Sequence, residues 1–165
     1  YFKAKLLLKF FLIFTFFFRV VGVNGDSMNP TLQSGDWLTV SAITNEVKTG
    51  DIVVITQPNS LNEPLIKRVI AKGGDTVNID FIEGTVTVNG KILYEPYIAE
   101  KTEISGDYVY PLEIPEGYIF VMGDNRNDSL DSRFRTIGLI DERYVLGVAE
   151  TRIYPFGDWK INNEK

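Results

Sequence analysis

The sequence predicts a mainly β protein that follows an N-terminal apolar membrane-anchor helix. Short runs of apolar and β-branched residues, separated by turn signals, predict strands at 37–40, 52–56, 65–70, 118–122 and 145–154. A hairpin is predicted at 84–93, where valines alternate with threonines before an Asn89-Gly90 pair that favours a type I′ turn. No long helical period follows residue 23, so strands are expected to build the body of the chain.

The N-terminal segment is apolar and basic. Residues 6–18 would form a helix of roughly 20 Å at about 1.5 Å per residue. Extending the helix over residues 4–23 reaches the length of about 20 residues that crosses a bilayer core. Lys5 and Arg19 then lie near opposite ends, where their side chains can reach the two interfaces.

This pattern divides the chain into a single-pass transmembrane anchor at 1–23 and a β-rich domain at 24–165. Basic residues before the apolar run favour a cytoplasmic N-terminus, so the domain is expected on the extracytoplasmic face of the membrane. The sequence begins with Tyr and not Met, which leaves room for a longer anchor. Two other interpretations of the apolar segment stay open, a cleaved secretory signal and a buried core strand.

Composition excludes several kinds of chemistry. The 165 residues include no histidine and no cysteine, which excludes a Ser-His-Asp triad, a cysteine nucleophile and the usual zinc sites. The net charge is −5 although the first 21 residues carry only basic groups, so the remainder is strongly acidic. A body of that charge is a poor candidate for a nucleic-acid partner.

One serine stands directly after the anchor, in the turn-prone stretch 24–32. If Ser27 is a nucleophile, its base must be a lysine, a carboxylate or the amino terminus, because the chain has no histidine. A lysine can serve when burial lowers its pKa enough to leave a neutral amine near pH 7. Lys67, with Leu65 and Val69 as its apolar neighbours, is a candidate for that base.

The strand predicted at 65–70 carries two charges. Leu65 and Val69 share a strand face with Lys67, whereas the neighbouring Arg68 lies on the opposite face. Each charged side chain therefore lies between apolar side chains on its own face of the strand. The alternative interpretation is an edge strand whose charges prevent aggregation.

A second dense polar stretch spans 123–133 and reads Gly-Asp-Asn-Arg-Asn-Asp-Ser-Leu-Asp-Ser-Arg. A surface loop is one interpretation, since Asp, Asn, Ser and Gly are loop residues. The two arginines and three aspartates within eleven residues favour a fixed ion-pair network instead.

Three stretches carry a resemblance to a known family. They are Gly-Asp-Ser-Met-Asn-Pro-Thr-Leu at 25–32, Lys-Arg-Val-Ile at 67–70, and Gly-Asp-Asn-Arg at 123–126 followed by Ser129, Asp131, Ser132 and Arg133. In sequence, order and spacing these stretches resemble the motif boxes of bacterial type I signal peptidases. The short segment 73–122 and the single anchor are most similar to the small Gram-positive form.

The resemblance implies a membrane-bound serine endopeptidase with a Ser-Lys dyad and a core of antiparallel β-sheets. Such an enzyme removes N-terminal signal peptides from exported preproteins at the cytoplasmic membrane, after small-x-small sites. It implies no metal and no organic cofactor. The implied partners are signal peptides and the lipid bilayer, and the protein is expected to act as a monomer.

The same resemblance assigns roles to residues. Ser27 matches the nucleophile and Lys67 the general base. Ser129 matches a serine that orients the lysine amine, supported by an ion pair between Asp131 and Arg133. The remaining matches are structural charges at Arg68, Asp124 and Arg126, and groove residues at Met28, Pro30 and Leu32.

One position departs from part of the family. Some members have a serine two residues before the nucleophile that helps to hold the oxyanion, and here that residue is Gly25. The oxyanion is then expected to be bound by backbone N–H groups in the Gly25 region, chiefly that of Ser27. Alternative functions are an inactive tethered homologue that binds signal peptides, a Ser-Lys self-cleaving peptidase of the repressor type, and a non-catalytic β-domain.

Overall fold

A computed structural model describes residues 18–42, 46–156 and 161. The mainly β prediction is confirmed, because these residues form eleven strands, all paired antiparallel, and one short 3₁₀-helix at Glu142–Tyr144. The strands are arranged in two sheets.

The larger sheet has seven strands in the order β1-β2-β11-β3-β4-β9-β10. Their bounds are β1 Phe18–Gly22, β2 Trp37–Ser41, β3 Ile52–Ile55, β4 Leu65–Lys72, β9 Tyr118–Met122, β10 Ile140–Asp141 and β11 Val145–Tyr154.

The smaller sheet has four strands in the order β7-β6-β5-β8. Their bounds are β5 Thr76–Asp80, β6 Thr85–Val88, β7 Lys91–Ile92 and β8 Leu112–Glu113. Strands β6 and β7 form the predicted hairpin, and Asn89 and Gly90 between them have φ of 52° and 75°, as a type I′ turn requires.

Strand β4 lies inside the larger sheet, between β3 and β9. The edge-strand interpretation of its two charges is therefore wrong. Both charges are buried, with Lys67 3% and Arg68 2% exposed. Alternation along the strand is as predicted, since Leu65 and Val69 pack in one apolar cluster and Ile70 packs in another.

The predicted anchor requires a correction at its C-terminal end. Residues 18–22 are not helical but form β1, which pairs with β2 through the contacts Phe18–Ser41 to Gly22–Trp37. Within the described residues, no helix is long and apolar enough to cross a bilayer. Residues 1–17, on which the rest of the predicted anchor helix falls, lie outside the described part of the chain.

Candidate active site

The loop that carries Ser27 connects β1 to β2. The N–H of Asn29 donates to the carbonyl of Asp26, and the N–H of Leu32 donates to that of Met28, so the chain turns tightly around Ser27. Met28 is 1% exposed, so its apolar side chain is buried under the turn. The serine next to it is left partly exposed, as a nucleophile that meets a large substrate needs to be.

Lys67 reaches this serine from the middle of β4. Its Nζ lies 2.7 Å from the Oγ of Ser27, within hydrogen-bond distance. Lys67 is 3% exposed and pairs with Val53 of β3, and Leu65 and Val69, which share its strand face, pack with Val53 in an apolar cluster. The structure thus brings together the predicted nucleophile and the predicted base.

Burial sets the protonation of the lysine. It lowers the pKa of Lys67 to about 8, because water is removed from around the ammonium form. The carboxylates of Asp131 and Asp124 oppose this change, and the guanidinium of Arg133 adds slightly to it. A useful fraction of the amine is therefore neutral near neutral pH, which is the state that can accept a proton.

Three elements are tied together by a buried ion pair beside the dyad. Arg68 donates to both carboxylate oxygens of Asp124, over 2.8 and 2.7 Å, and its remaining guanidinium nitrogen donates to the carbonyl of Gly50. The hydroxyl of Thr31 donates to the same carboxylate. Strand β4, the segment after β9 and the nucleophile loop are thereby held in one arrangement.

A second buried ion pair lies in the segment 123–133. Arg133 donates to both oxygens of Asp131, over 2.8 and 3.0 Å, and both side chains are fully buried. Asp131 also accepts from the N–H of Gly123 over 2.9 Å. These contacts favour the ion-pair-network interpretation of the segment, because the charges pair with one another and with its backbone.

Ser129 lies beside the nucleophile loop. Its side chain and the carbonyl of Ser27 both border Gly123, so closely that a Cβ at Gly123 would overlap with them. The Ser129 hydroxyl is buried and has no hydrogen-bond partner in the described part of the chain. The expected bond to the Lys67 amine is therefore not formed in this structure, although the hydroxyl is near the dyad.

Arg126 has a partner that the sequence analysis did not identify. Its guanidinium binds both carboxylate oxygens of Glu95 and the hydroxyl of Thr102, and its Nε donates to the carbonyl of Gly123. The ring of Tyr97 lies 4.0 Å below the guanidinium carbon of Arg68. The acidic, irregular composition of 94–115 was a signal of charged partners, but it did not indicate which ones.

A groove of about 380 Å³ opens at the dyad. Apart from Ser27 and Lys67 it is lined mostly by glycine and apolar residues, namely Val21, Gly22, Val23, Asn24, Gly25, Met28, Val54, Leu61, Glu63, Pro64, Leu65, Ile66 and Leu130. Of the three residues that the resemblance assigns to the substrate groove, Met28 lines this cavity. Pro30 and Leu32 do not, since Pro30 is exposed elsewhere and Leu32 is fully buried in a core cluster with Leu38 and Ile52.

Gly25 borders the groove near the nucleophile. It has φ of +92°, a conformation that favours glycine, and the space where a side chain would begin is open. Its N–H donates to the hydroxyl of Ser34 over 3.3 Å. No hydrogen bond from the N–H of Ser27 is formed within the described residues, which leaves that donor available.

Comparison with known proteins identifies the family. The model of the family described as signal peptidase, peptidase S26, matches residues 2–154. A signal peptidase I of Bacillus licheniformis is 39% identical over 89% of this chain and 82% of its own length. The signal peptidase I T of Bacillus subtilis is 40% identical over 90% of this chain and 80% of its own length.

A solved structure agrees with this match. The crystal structure of a signal peptidase I from Enterococcus faecalis is 30% identical, with a TM-score of 0.51 over 63% of this chain and 97% of the other. The fold, the order of the motifs and the sequence relatives therefore all indicate the same family. The chain belongs to the signal peptidase family, peptidase S26.

Proposed function

We propose that this member of the family removes N-terminal signal peptides from exported preproteins with Ser27 as nucleophile and Lys67 as general base. The observation that carries the proposal is the 2.7 Å distance between Nζ of Lys67 and Oγ of Ser27, with the lysine buried. A serine attacks a peptide bond only when a base within hydrogen-bond reach accepts its proton.

The reaction follows from this pair. The neutral amine of Lys67 takes the proton of the Ser27 hydroxyl as Oγ attacks the carbonyl carbon of the scissile bond. The resulting ammonium gives the proton to the leaving amine, and an acyl-enzyme on Ser27 remains. Lys67 then accepts a proton from a water molecule that hydrolyses the ester, and returns a proton to Oγ.

The tetrahedral intermediate carries an oxyanion, for which the N–H of Ser27 is the proposed donor. Gly25 has no hydroxyl to contribute, and we infer that backbone groups bind this charge. A single oxyanion donor contributes about 3–4 kcal/mol to the stability of such a transition state. This assignment is supported by the N–H of Ser27, which donates to no other group in the described part of the chain.

The groove supports a substrate with small side chains near the cut. Glycine and apolar residues form most of the groove lining around Ser27, which suits short side chains at the first and third positions before the cut. We infer that the peptide binds in an extended conformation, as strands added to sheets do. This substrate is the small-x-small end of a signal peptide.

The site is proposed to lie on the extracytoplasmic face of the cytoplasmic membrane, in a protein that acts as a monomer on signal peptides and not on nucleic acid. The apolar, basic residues before β1 would then supply a single-pass anchor. Because β1 begins at Phe18, this anchor would end before that residue and not at residue 23. Co-sedimentation of the full chain with lipid vesicles tests the membrane attachment.

The test is cleavage of a peptide that spans an Ala-x-Ala signal junction, with the full chain in detergent between pH 6 and 10. Cleavage after the second alanine should be lost in Ser27→Ala and in Lys67→Ala. Lys72→Ala is the matched control, because Lys72 lies on the same strand but pairs with exposed Glu46. Retained cleavage in Lys67→Ala would exclude this lysine as base, and binding without cleavage by the native chain would favour an inactive homologue.

A further inference from the structure

Two groove residues have no part in the proposed chemistry. Leu61 and Glu63 belong to the loop between β3 and β4, and both line the groove that contains Ser27 and Lys67. Both are exposed, and Leu61 is 48% exposed despite its apolar side chain. An apolar residue and a carboxylate that share the mouth of a peptide groove are positioned to contact a bound peptide.

The loop that presents them is fixed by its own hydrogen bonds. The amide of Asn59 donates to the carbonyl of Glu63 over 2.8 Å, and its oxygen accepts from the N–H of Leu61 over 2.9 Å. Gln57 fastens the start of the loop to the N–H of Asp141 over 2.9 Å and to the carbonyl of Leu139 over 3.1 Å. Leu61 and Glu63 are therefore held in place at the groove before a substrate arrives.

The charge of the groove is set by very few groups. Among the described residues that line it, Glu63 has the only carboxylate and Lys67 the only cation. Lys67 is occupied by the contact with Ser27. None of the ion pairs between described residues includes Glu63.

We propose that Glu63 and Leu61 form a subsite that selects a basic substrate side chain over an acidic one. A lysine or arginine can lay its aliphatic stem on Leu61 while its cation pairs with the Glu63 carboxylate. An aspartate or glutamate at the same place would meet a like charge. This inference rests on the proposed peptidase function and adds a selectivity that the small-x-small pattern does not contain.

The position of the subsite follows from strand geometry. Glu63 precedes Lys67 by four residues. The chain bends at Glu63 and enters β4 at Leu65, so the two residues lie at most about 13 Å apart at about 3.3 Å per residue. An extended peptide that binds alongside residues 63–67 also advances by about 3.3 Å per residue. Glu63 is therefore expected to contact the fourth or fifth substrate residue before the cut.

The test uses Ala-x-Ala peptides that differ only at the fourth and fifth residues before the cut, which are both lysine, glutamine or glutamate. Cleavage by the native full chain is measured as kcat/KM for each peptide at low salt. Since exposed ion pairs are weak, we expect the lysine peptide to be cut roughly three- to fivefold faster than the glutamate peptide. The ratio should approach one as salt is added, because the pair is exposed to solvent.

Variants of Glu63 test whether this residue causes the difference in kcat/KM between the lysine and glutamate peptides. Glu63→Gln should reduce the lysine-to-glutamate ratio to about one, and Glu63→Lys should invert it. Glu83→Gln is the control, because Glu83 is also exposed but lies on the turn after β5 and does not line the groove. A native ratio of one, or a ratio that survives in Glu63→Gln, would overturn the proposed subsite.

Binding separates this inference from the proposed function. Anisotropy of the labelled peptides with the Ser27→Ala chain reports the charge preference without any cleavage. A preference in binding that depends on Glu63, together with no cleavage by the native chain, would uphold the subsite and reject the peptidase. Cleavage of all three peptides at one rate, with equal binding, would reject the subsite and leave the peptidase intact.

Discussion

The Nζ of Lys67 lies 2.7 Å from the Oγ of Ser27, although forty residues separate them in the chain. The serine stands on the loop after an outer strand of the larger sheet, and the lysine stands on an inner strand. Asp124 joins the two parts, since it binds Arg68 beside the lysine and Thr31 on the serine loop. The dyad therefore depends on the sheet as much as on its own two residues.

The pH dependence of cleavage should follow the lysine. Burial lowers the pKa of Lys67 to about 8, so the neutral form increases about tenfold per pH unit below that value. We expect kcat/KM to rise with pH and to level off above about pH 8. Initial rates between pH 6 and 10 measure this, and a flat profile or one that peaks in acid would contradict the assignment.

The same lowered pKa makes Lys67 a cost to stability. Between a folded pKa of about 8 and an unfolded value of 10.5 the unfolded chain binds more protons, so this cost is largest below pH 8 and shrinks as pH rises to 10.5. A shift of this size corresponds to about 3 kcal/mol at pH 7. Lys67→Met removes the charge but keeps the shape.

We therefore expect Lys67→Met to unfold at higher urea concentration than the native chain at pH 7, with a smaller difference at pH 9.5. Equilibrium unfolding of the full chain in detergent at both pH values measures the two differences. Lys72→Met controls for loss of a lysine on the same strand, and it should show no such pH-dependent gain. A native chain that is more stable than Lys67→Met at pH 7 would contradict the linkage.

Ser129→Ala separates a catalytic contribution from a structural one. The Ser129 hydroxyl is buried and has no hydrogen-bond partner among the described residues, so its removal should leave stability unchanged or raise it by about 1 kcal/mol. If this hydroxyl orients the Lys67 amine during the reaction, kcat should nevertheless fall at least tenfold. Unfolding and cleavage measured on one preparation of Ser129→Ala distinguish the two contributions. Full activity in this variant would show that the Ser129 hydroxyl has no role in the mechanism.

Local patterns predicted much of the fold. Alternating Val and Thr with Asn89-Gly90 specified the hairpin, and the apolar runs around Lys67 and Tyr118 specified strands, although not their inner position in the sheet. Strand β5 was missed because its polar residues alternate with only two apolar ones, Val77 and Ile79. Strands β8 and β10 have two residues each, which is too short for any periodicity.

The site was predicted from chemistry and from the family resemblance. The parts of the site that were not predicted have physical reasons. The absence of histidine left few possible bases, and the family resemblance assigned the role to Lys67. The pairing of Arg126 with Glu95 is a long-range contact that no local pattern encodes. The family resemblance implied a groove role for Leu32, but the tight turn after Ser27 places its side chain in a core cluster.

The Arg68–Asp124 pair should matter far more to stability than an exposed pair. Asp124→Ala leaves a buried guanidinium without its partner, which typically costs about 3–5 kcal/mol. Glu46→Ala breaks the exposed pair with Lys72, for which we expect no resolvable change. Urea unfolding of both variants provides the comparison, and similar midpoints for both would show that the buried pair is not a major support of the fold.

Gly123 is required by the close approach of the segment after β9 to the nucleophile loop. A Cβ at this position would overlap with the carbonyl oxygen of Ser27 and with the hydroxyl of Ser129, and both belong to a tightly packed region. Gly123→Ala should therefore push Ser27 away from Lys67, with a loss of at least about 1–3 kcal/mol in the free energy of unfolding and a large fall in kcat. Gly22→Ala is the matched control for stability, because a Cβ there meets only the Trp37 side chain, at 4.0 Å. A stability change in Gly123→Ala as small as that in Gly22→Ala would mean that the loop can move without loss, and that the dyad does not depend on this contact.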